Sequence, residues 1–313
     1  MEFYQHSSGK LLITGEYFVL DGAKGLALPT QMGQSMKMAL LNDKDKKGRL
    51  IWKAYQHDHS LWAEVEYDLT RGRLLSWTDK DFALRLGQLL EKCIEENPIF
   101  YLNESYQITT ELEFKTQWGL GTSSTLINNL ANLFSIDPYK LLEQTFGGSG
   151  YDIACAQADG PIIYERFAEN RVSKSPFNPI FKDKIHFVYL GNKQNSREGI
   201  SYYRSLSSEH KKICIQEINE LTEAISACNF LNDMMDLVRE HEQLVSSFLK
   251  KETVQTSHFP HFNGVVKSLG AWGGDFVMVL SNESRDYVKD YFAKKDLSDC
   301  FQFDQIIKSY THA

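Results

Sequence analysis

The chain has 313 residues, a length that suits two cores of about 150 residues each better than one. Its composition is 42% hydrophobic, 12% aromatic and 24% charged with seven prolines, which excludes wholesale disorder. A formal charge of −7 excludes the basic footprint of a nucleic-acid binder, because phosphate contacts need lysines and arginines to displace counterions.

Taken in chain order, the first polar residues give way to Gly9-Lys10-Leu11-Leu12-Ile13-Thr14-Gly15-Glu16-Tyr17. This run is interrupted by Gly15 and Glu16 and lacks a small-residue cleavage site, so it does not read as a signal peptide. From Lys10 to Leu20 the residues are apolar and β-prone, Asp21-Gly22 reads as a turn, and apolar sequence resumes at Leu26, which predicts a hairpin. Asp43, Lys44, Asp45, Lys46 and Lys47 mix signs and read as a solvated loop. Alternation predicts strands over Leu50–Lys53, Leu61–Tyr67 and Tyr106–Phe114, and helical spacing predicts a helix over Phe82–Glu96, stopped by Asn97-Pro98. Helices are expected from the residues after Gly121 to Phe134, from Asp137-Pro138 to Gln144, and over Tyr151–Ala158, followed by a strand over Pro161–Phe167. The polar stretch Glu169–Lys184 is the linker candidate, dividing the chain into expected domains 1–175 and 176–313. Beyond it come helices over Ser207–Cys228 and Leu231–Leu249, an apolar strand within Gly273-Gly274-Asp275-Phe276-Val277-Met278-Val279-Leu280, and a helix over Arg285–Lys295. The expected class is α+β.

Five scattered cysteines, never spaced as C-x-x-C, signal neither a disulfide framework nor a zinc cage and fit a reducing cytoplasm. No stretch reaches the roughly 18 apolar residues of a membrane span. His57-Asp58-His59 and His258 with His261 lack a third ligand at telling spacing and read as exposed loop residues. Met234-Met235 and Tyr202-Tyr203 read as core or interface filling.

Glycine matters where backbone N–H groups must approach phosphate closely. Trp118-Gly119-Leu120-Gly121-Thr122-Ser123-Ser124 runs directly into a helical pattern, and a helix N-terminus binds anions. No lysine follows the glycines, so this is not the Walker-type loop. Alone, the segment reads equally well as a helix cap rich in Ser and Thr. Its companions are the Gly9–Tyr17 run, Gly148-Ser149-Gly150-Tyr151-Asp152-Ile153-Ala154, and Lys267-Ser268-Leu269-Gly270-Ala271-Trp272-Gly273-Gly274-Asp275. Taken by itself, Asp152 reads as a helix N-terminal acid and Lys10 as an edge-strand lysine.

In this combination and order the chain resembles the GHMP kinases, the superfamily of galactokinase, homoserine kinase, mevalonate kinase and phosphomevalonate kinase. Lys10 and Glu16 stand in a segment that looks like the family's first motif, residues 119 to 124 in one like its phosphate loop, and residues 270 to 275 in one like its third motif. Gln117 and Trp118 stand where the family usually has Pro and small residues, and Trp272 where a glycine is usual, side chains bulky enough to narrow a nucleotide cleft. The Gly148–Ala154 segment and Gly273-Gly274-Asp275 resemble the mevalonate-pathway branch, and Gly191-Asn192-Lys193-Gln194-Asn195-Ser196 is similar to a loop of phosphomevalonate kinases.

The resemblance implies a ribosomal-S5-domain-2-like N-terminal domain, a ferredoxin-like C-terminal domain, and ATP with Mg²⁺ as cofactors. It also implies a small anionic mevalonate-type acceptor, with phosphomevalonate first and mevalonate second, and a monomer or homodimer that engages neither nucleic acid nor membrane. On the same ground Trp118, Gly119, Leu120, Gly121, Thr122, Ser123 and Ser124 hold the nucleotide, Ser123 and Glu143 are candidate metal ligands, and Asp152 with Lys10 carries the chemistry. Acceptor contacts fall to Glu16, Tyr17, Ser149, Gly150, Ser196, Arg197, Gly273, Gly274 and Asp275. A non-catalytic nucleotide-binding homologue is the rival from another class.

Overall fold

The computed structural model describes residues 2–41, 47–191, 196–205, 207–270 and 274–310, without the side chains at 196–199 and 210. Its elements in chain order are β1 (Phe3–Leu12), β2 (Gly25–Leu41), β3 (Arg49–Tyr55), β4 (Leu61–Asp68), β5 (Arg73–Trp77), α1 (Lys80–Glu96) and β6 (Ser105–Leu112). Helices α2 (Thr122–Phe134), α3 (Pro138–Thr145) and α4 (Tyr151–Gln157) follow, then β7 (Ile162–Glu165), β8 (Arg171–Lys174) and β9 (Ile185–Tyr189). The remainder is α5 (Ser196–Ser205), α6 (Ser208–Ala227), α7 (Leu231–Leu249), α8 (Val254–His258), β10 (Val265–Ser268), β11 (Phe276–Leu280), α9 (Arg285–Ala293), β12 (Cys300–Gln302) and α10 (Phe303–Ile306).

These elements form two compact units, each discontinuous in the chain. One unit comprises Met1–Gly9, Met32–Thr116 and Leu120–Gln157; the other comprises Lys10–Gln31, Gln117–Gly119 and Ala158–Ala313.

In the first unit β5, β4, β3, β6 and the latter part of β2 lie side by side, with β3 and β6 parallel and the other neighbours antiparallel. Leu50, Trp52 and Ala54 on β3 alternate inward with half-buried residues between them, the period-2 pattern of a strand with one core face. Helix α1 begins at Asp79, whose carboxylate accepts from Phe82 N at 3.0 Å, and buries Ala83, Leu86, Leu89, Leu90 and Cys93 at helical spacing. Leu126, Ile127, Leu130 and Phe134 of α2 complete that core.

The second unit contains a four-stranded antiparallel sheet in the order β10-β11-β9-β12. Its chain order is strand, helices, strand, strand, helix, strand, which with that spatial order is the ferredoxin-like arrangement the resemblance implies. All five residues of β11 are buried, as are all five of β9. The same unit holds β7 and β8 with the first residues of β2.

Two expectations need correction. The run from Ile13 to Leu20 is not strand: the chain leaves β1 at Leu12, turns at Gly15 (φ 86°), and makes one 3₁₀ turn over Phe18–Asp21. The expected linker Glu169–Lys184 contains β8, which pairs antiparallel with β7 from Ile162↔Lys174 to Glu165↔Arg171. All four β8 residues are exposed, so their polar composition hides a strand that sits at a sheet edge. Asp43, Lys44, Asp45 and Lys46 lie outside the described residues. Met234, Met235 and Tyr203 are core residues, as expected.

Candidate active site

Within the first unit, the chain enters α2 through Gly121, which occupies the left-handed region at φ 101° as the helix cap. Ser124 Oγ donates to Gly121 O at 2.9 Å and Thr125 Oγ1 to the same oxygen at 3.1 Å, so both hydroxyls are used to fix the turn. Ser123 is exposed. Leu120 is fully buried, which anchors the loop beneath it.

Helix α2 packs on α3 and α4. Glu143 is exposed on α3, and Asp152 lies half-buried in the first turn of α4, just after Ser149 (half-buried) and Gly150 (buried, φ 90°). A polar network joins α2 to β1, β2 and α4. Asn128 Nδ2 donates to Ser7 Oγ at 2.8 Å, Ser7 Oγ donates to Asn129 Oδ1 at 2.7 Å, and Gln157 Nε2 donates to Asn128 Oδ1 at 2.9 Å. Asn129 Nδ2 reaches Gln34 O at 3.0 Å. Asn128 thus ties the helix that begins at the glycine loop to the helix that carries Asp152.

Within the second unit, Lys10 Nζ donates to Gly119 O at 2.8 Å, so the expected cation and the first glycine of the loop are in direct contact. Gly119 has φ 67°, and the Asp275 carboxylate fills the space where a side chain would stand. Trp118 is buried: its indole N–H donates to Asp299 Oδ2 at 3.0 Å, and its ring packs edge-on to Phe276 and Phe301. It is a core residue of this unit. Gly274 is buried and Asp275 half-buried at the start of β11.

Glu16 is placed differently from a substrate-facing carboxylate. It is 1% exposed, it accepts a short hydrogen bond from Lys267 Nζ, and its other oxygen lies 3.4 Å from His241 Nε2. Burial raises its carboxyl above the ordinary value, and Lys267 partly offsets that. Tyr17 is 9% exposed with φ 62° and stacks on Tyr203 at 6.2 Å between centroids. Ser196 and Arg197 belong to α5 by backbone, but their side chains, like the whole of Trp272 and Gly273, lie outside the described residues.

No sequence motif gives a role to Lys267, His241 or Glu242. A signal was present: in α7 the buried stripe Met234, Val238, His241, Glu242, Val245 and Phe248 carries a histidine and a carboxylate at core positions. In β10 a lysine interrupts an apolar run. Among the described residues no group of three metal-ligating side chains is found and no helix is long and apolar enough to cross a membrane. His57, His59, His258 and His261 are not buried, as expected.

No protein-family model matches the chain, and no curated protein does. Solved structures do. A mevalonate kinase aligns over 99% of this chain and 100% of its own with a TM-score of 0.73 at 14% identity. The Methanococcus jannaschii mevalonate kinase aligns over 99% of both chains with a TM-score of 0.72 at 14% identity. The Streptococcus pneumoniae phosphomevalonate kinase in complex with phosphomevalonate and AMPPNP aligns over 96% of this chain and 99% of that one, with a TM-score of 0.64 at 14% identity. The chain therefore has the fold of the GHMP kinases, along essentially its whole length.

Proposed function

We propose that the protein is an ATP-dependent small-molecule kinase acting on an anionic mevalonate-type acceptor, phosphomevalonate first and mevalonate second. The observation that carries this reading is the entry to α2. A left-handed glycine opens a helix N-terminus with an exposed serine hydroxyl, in a chain with the GHMP kinase fold. Gly121 fits close approach of phosphate, since it holds positive φ at the start of α2.

On this reading the loop from Trp118 to Ser124 holds ATP through its backbone, with the Trp118 side chain packed in the core, and Ser123 ligates Mg²⁺ with Glu143 as the second candidate. The bound nucleotide and ion supply the γ-phosphoryl group and neutralise its charge. Lys10 stabilises negative charge on the transferring group and orients the loop through Gly119 O. Asp152 takes the proton from an alcohol acceptor; for a phosphate acceptor, already largely ionised at pH 7, it acts through its charge. Glu16, Tyr17, Ser149, Gly150, Ser196, Arg197, Gly273, Gly274 and Asp275 are the acceptor candidates, Glu16 being buried and paired with Lys267. The N-terminal domain of this kinase reading spans 1–175 and the C-terminal domain 176–313.

Mevalonate has its own support. The two mevalonate kinases have TM-scores of 0.73 and 0.72, and two phosphomevalonate kinase structures 0.65 and 0.64. The test is ADP release by purified protein with ATP and Mg²⁺, offered phosphomevalonate, mevalonate, galactose or homoserine, with Asp152→Ala as control. Turnover on phosphomevalonate alone, lost in the variant, supports the first choice, and turnover on mevalonate alone the second. ATP binding without turnover on any acceptor supports the nucleotide-binding homologue.

A further inference from the structure

Inside the second unit four polar or ionisable side chains meet away from solvent. Lys267 and His241 are 0% exposed, Glu16 is 1% and Glu242 3%. Lys267 Nζ donates to Glu16 Oε1, to Glu242 Oε1 at 3.4 Å and to Ser268 O at 2.9 Å, which uses all three of its protons. His241 Nε2 lies 3.5 Å from Gly15 N and 3.4 Å from Glu16 Oε2. Burial pushes the Glu242 carboxyl up to about 7, with Lys267 opposing and Glu16 adding, and holds His241 well below its ordinary value. Of the two carboxylates, Glu16 makes the shorter contact to the lysine.

A buried ion pair rarely adds net stability, because desolvation costs several kcal/mol per ion and apolar residues of like volume do as well. What this one supplies is connection. Lys267 sits on β10 one residue before Ser268↔Val277, and Leu269 N donates to Phe276 O at 3.1 Å to close the base of the loop that leads to Gly274 and Asp275. Glu16 sits in the turn after β1. Phe18 N donates to Glu16 O at 2.7 Å across Tyr17, whose φ of 62° and ψ of −45° are those of a γ-turn that side-chain-bearing residues avoid. Such strain, about 1–3 kcal/mol, persists only where neighbours over-determine it. Here Glu16 is held on one side by Lys267, and on the other Phe18 is locked between Tyr203 and Phe248, at 5.5 Å and 4.7 Å between ring centroids.

We propose that Lys267 is a positioning residue: one buried cation holds the strained turn at Tyr17 and the base of the Gly274–Asp275 loop together, and so sets the acceptor-binding surface to which both contribute. The effect on turnover rests on the kinase reading above; the tether itself does not.

The experiment compares full-length wild type, Lys267→Met, Lys267→Arg and the double variant Lys267→Met/Glu16→Gln. It measures urea unfolding, hydrogen exchange at the amides of Phe18, Val19 and Leu20, and KM for acceptor and for ATP separately. The double variant removes the cation together with the carboxylate in shorter contact and leaves Glu242, no longer lowered by Lys267, to stay protonated; it is expected to recover much of the global stability that Lys267→Met loses. Its turn amides are expected to exchange about tenfold faster than in wild type, and its acceptor KM to rise about tenfold with the ATP KM within about twofold. Lys267→Arg, which keeps the cation, is expected to fall between it and wild type. Wild-type protection of the turn and wild-type acceptor KM in a stable double variant would overturn the proposal, because Lys267 would then serve only to balance charge. If Lys267→Met does not fold, the double variant and Lys267→Arg carry the comparison. If wild type turns over no acceptor, the kinase reading fails while the exchange measurement still decides the tether.

Discussion

The Cα of Gly119 rests against the carboxylate of Asp275: a Cβ at position 119 would stand 1.7 Å from Oδ2 and 2.5 Å from Cγ. These two residues are 156 positions apart in the sequence, and each belongs to a different glycine-marked segment. Their contact explains why the loop carries glycine at its first position, for a reason separate from any ligand.

Gly119→Ala should therefore cost about 2 kcal/mol or more, from the left-handed backbone and the overlap together. Adding Asp275→Ala removes the overlap and leaves the backbone strain, so the double variant should recover only part of the loss. Urea unfolding of the three proteins measures both terms.

Asn128 bonds to Ser7 and Gln157 from the buried side of α2. Asn128→Leu leaves those partners facing an apolar side chain and should destabilise the protein by about 2 kcal/mol. On the kinase reading kcat should fall more than KM for ATP, because α4 carries Asp152 and the loop before α2 is unchanged. Steady-state kinetics beside thermal unfolding separates the two effects.

The Trp118 indole makes one hydrogen bond and fills an aromatic cluster. Trp118→Phe keeps a ring and loses the bond to Asp299, at a cost of about 1 kcal/mol, whereas Trp118→Ala should cost about 3–5 kcal/mol. ATP affinity should follow stability in this series, with no gain from the smaller side chains, because the tryptophan is packed in the core. Calorimetric ATP titrations of both variants test this.

Burial pushes the Glu242 carboxyl up from its ordinary 4.5 to about 7 in the fold. Between those values the folded state binds the extra proton, so this group's contribution to stability is fully present below about 4.5 and is lost as pH rises through 7. Glu16, also raised, acts in the same direction; His241 and His186, both lowered, act in the opposite one and weaken the fold as pH falls below 6.5. Subtracting Glu242→Gln from wild type in urea unfolding at pH 5 to 8 should isolate the falling component. A flat difference would show that the carboxyl is not held above its ordinary range.

The sequence by itself determined the elements whose burial follows a local period: β3 and β4 by alternation, and α1, α2 and α7 by helical spacing. It also determined where backbone freedom was needed, at Gly119, Gly121 and Gly150, all with positive φ. These features are legible because they depend on neighbours within a turn or two. Only the tertiary structure decided that Lys10 meets Gly119 O, that Trp118 is core, and that Glu16 pairs with Lys267 across 251 positions. Local sequence reports which face a residue takes, and a single lysine in an apolar strand looks the same at an exposed edge as in a buried ion pair. The difference is made by partners brought from far along the chain, whose approach depends on the packing of the whole unit.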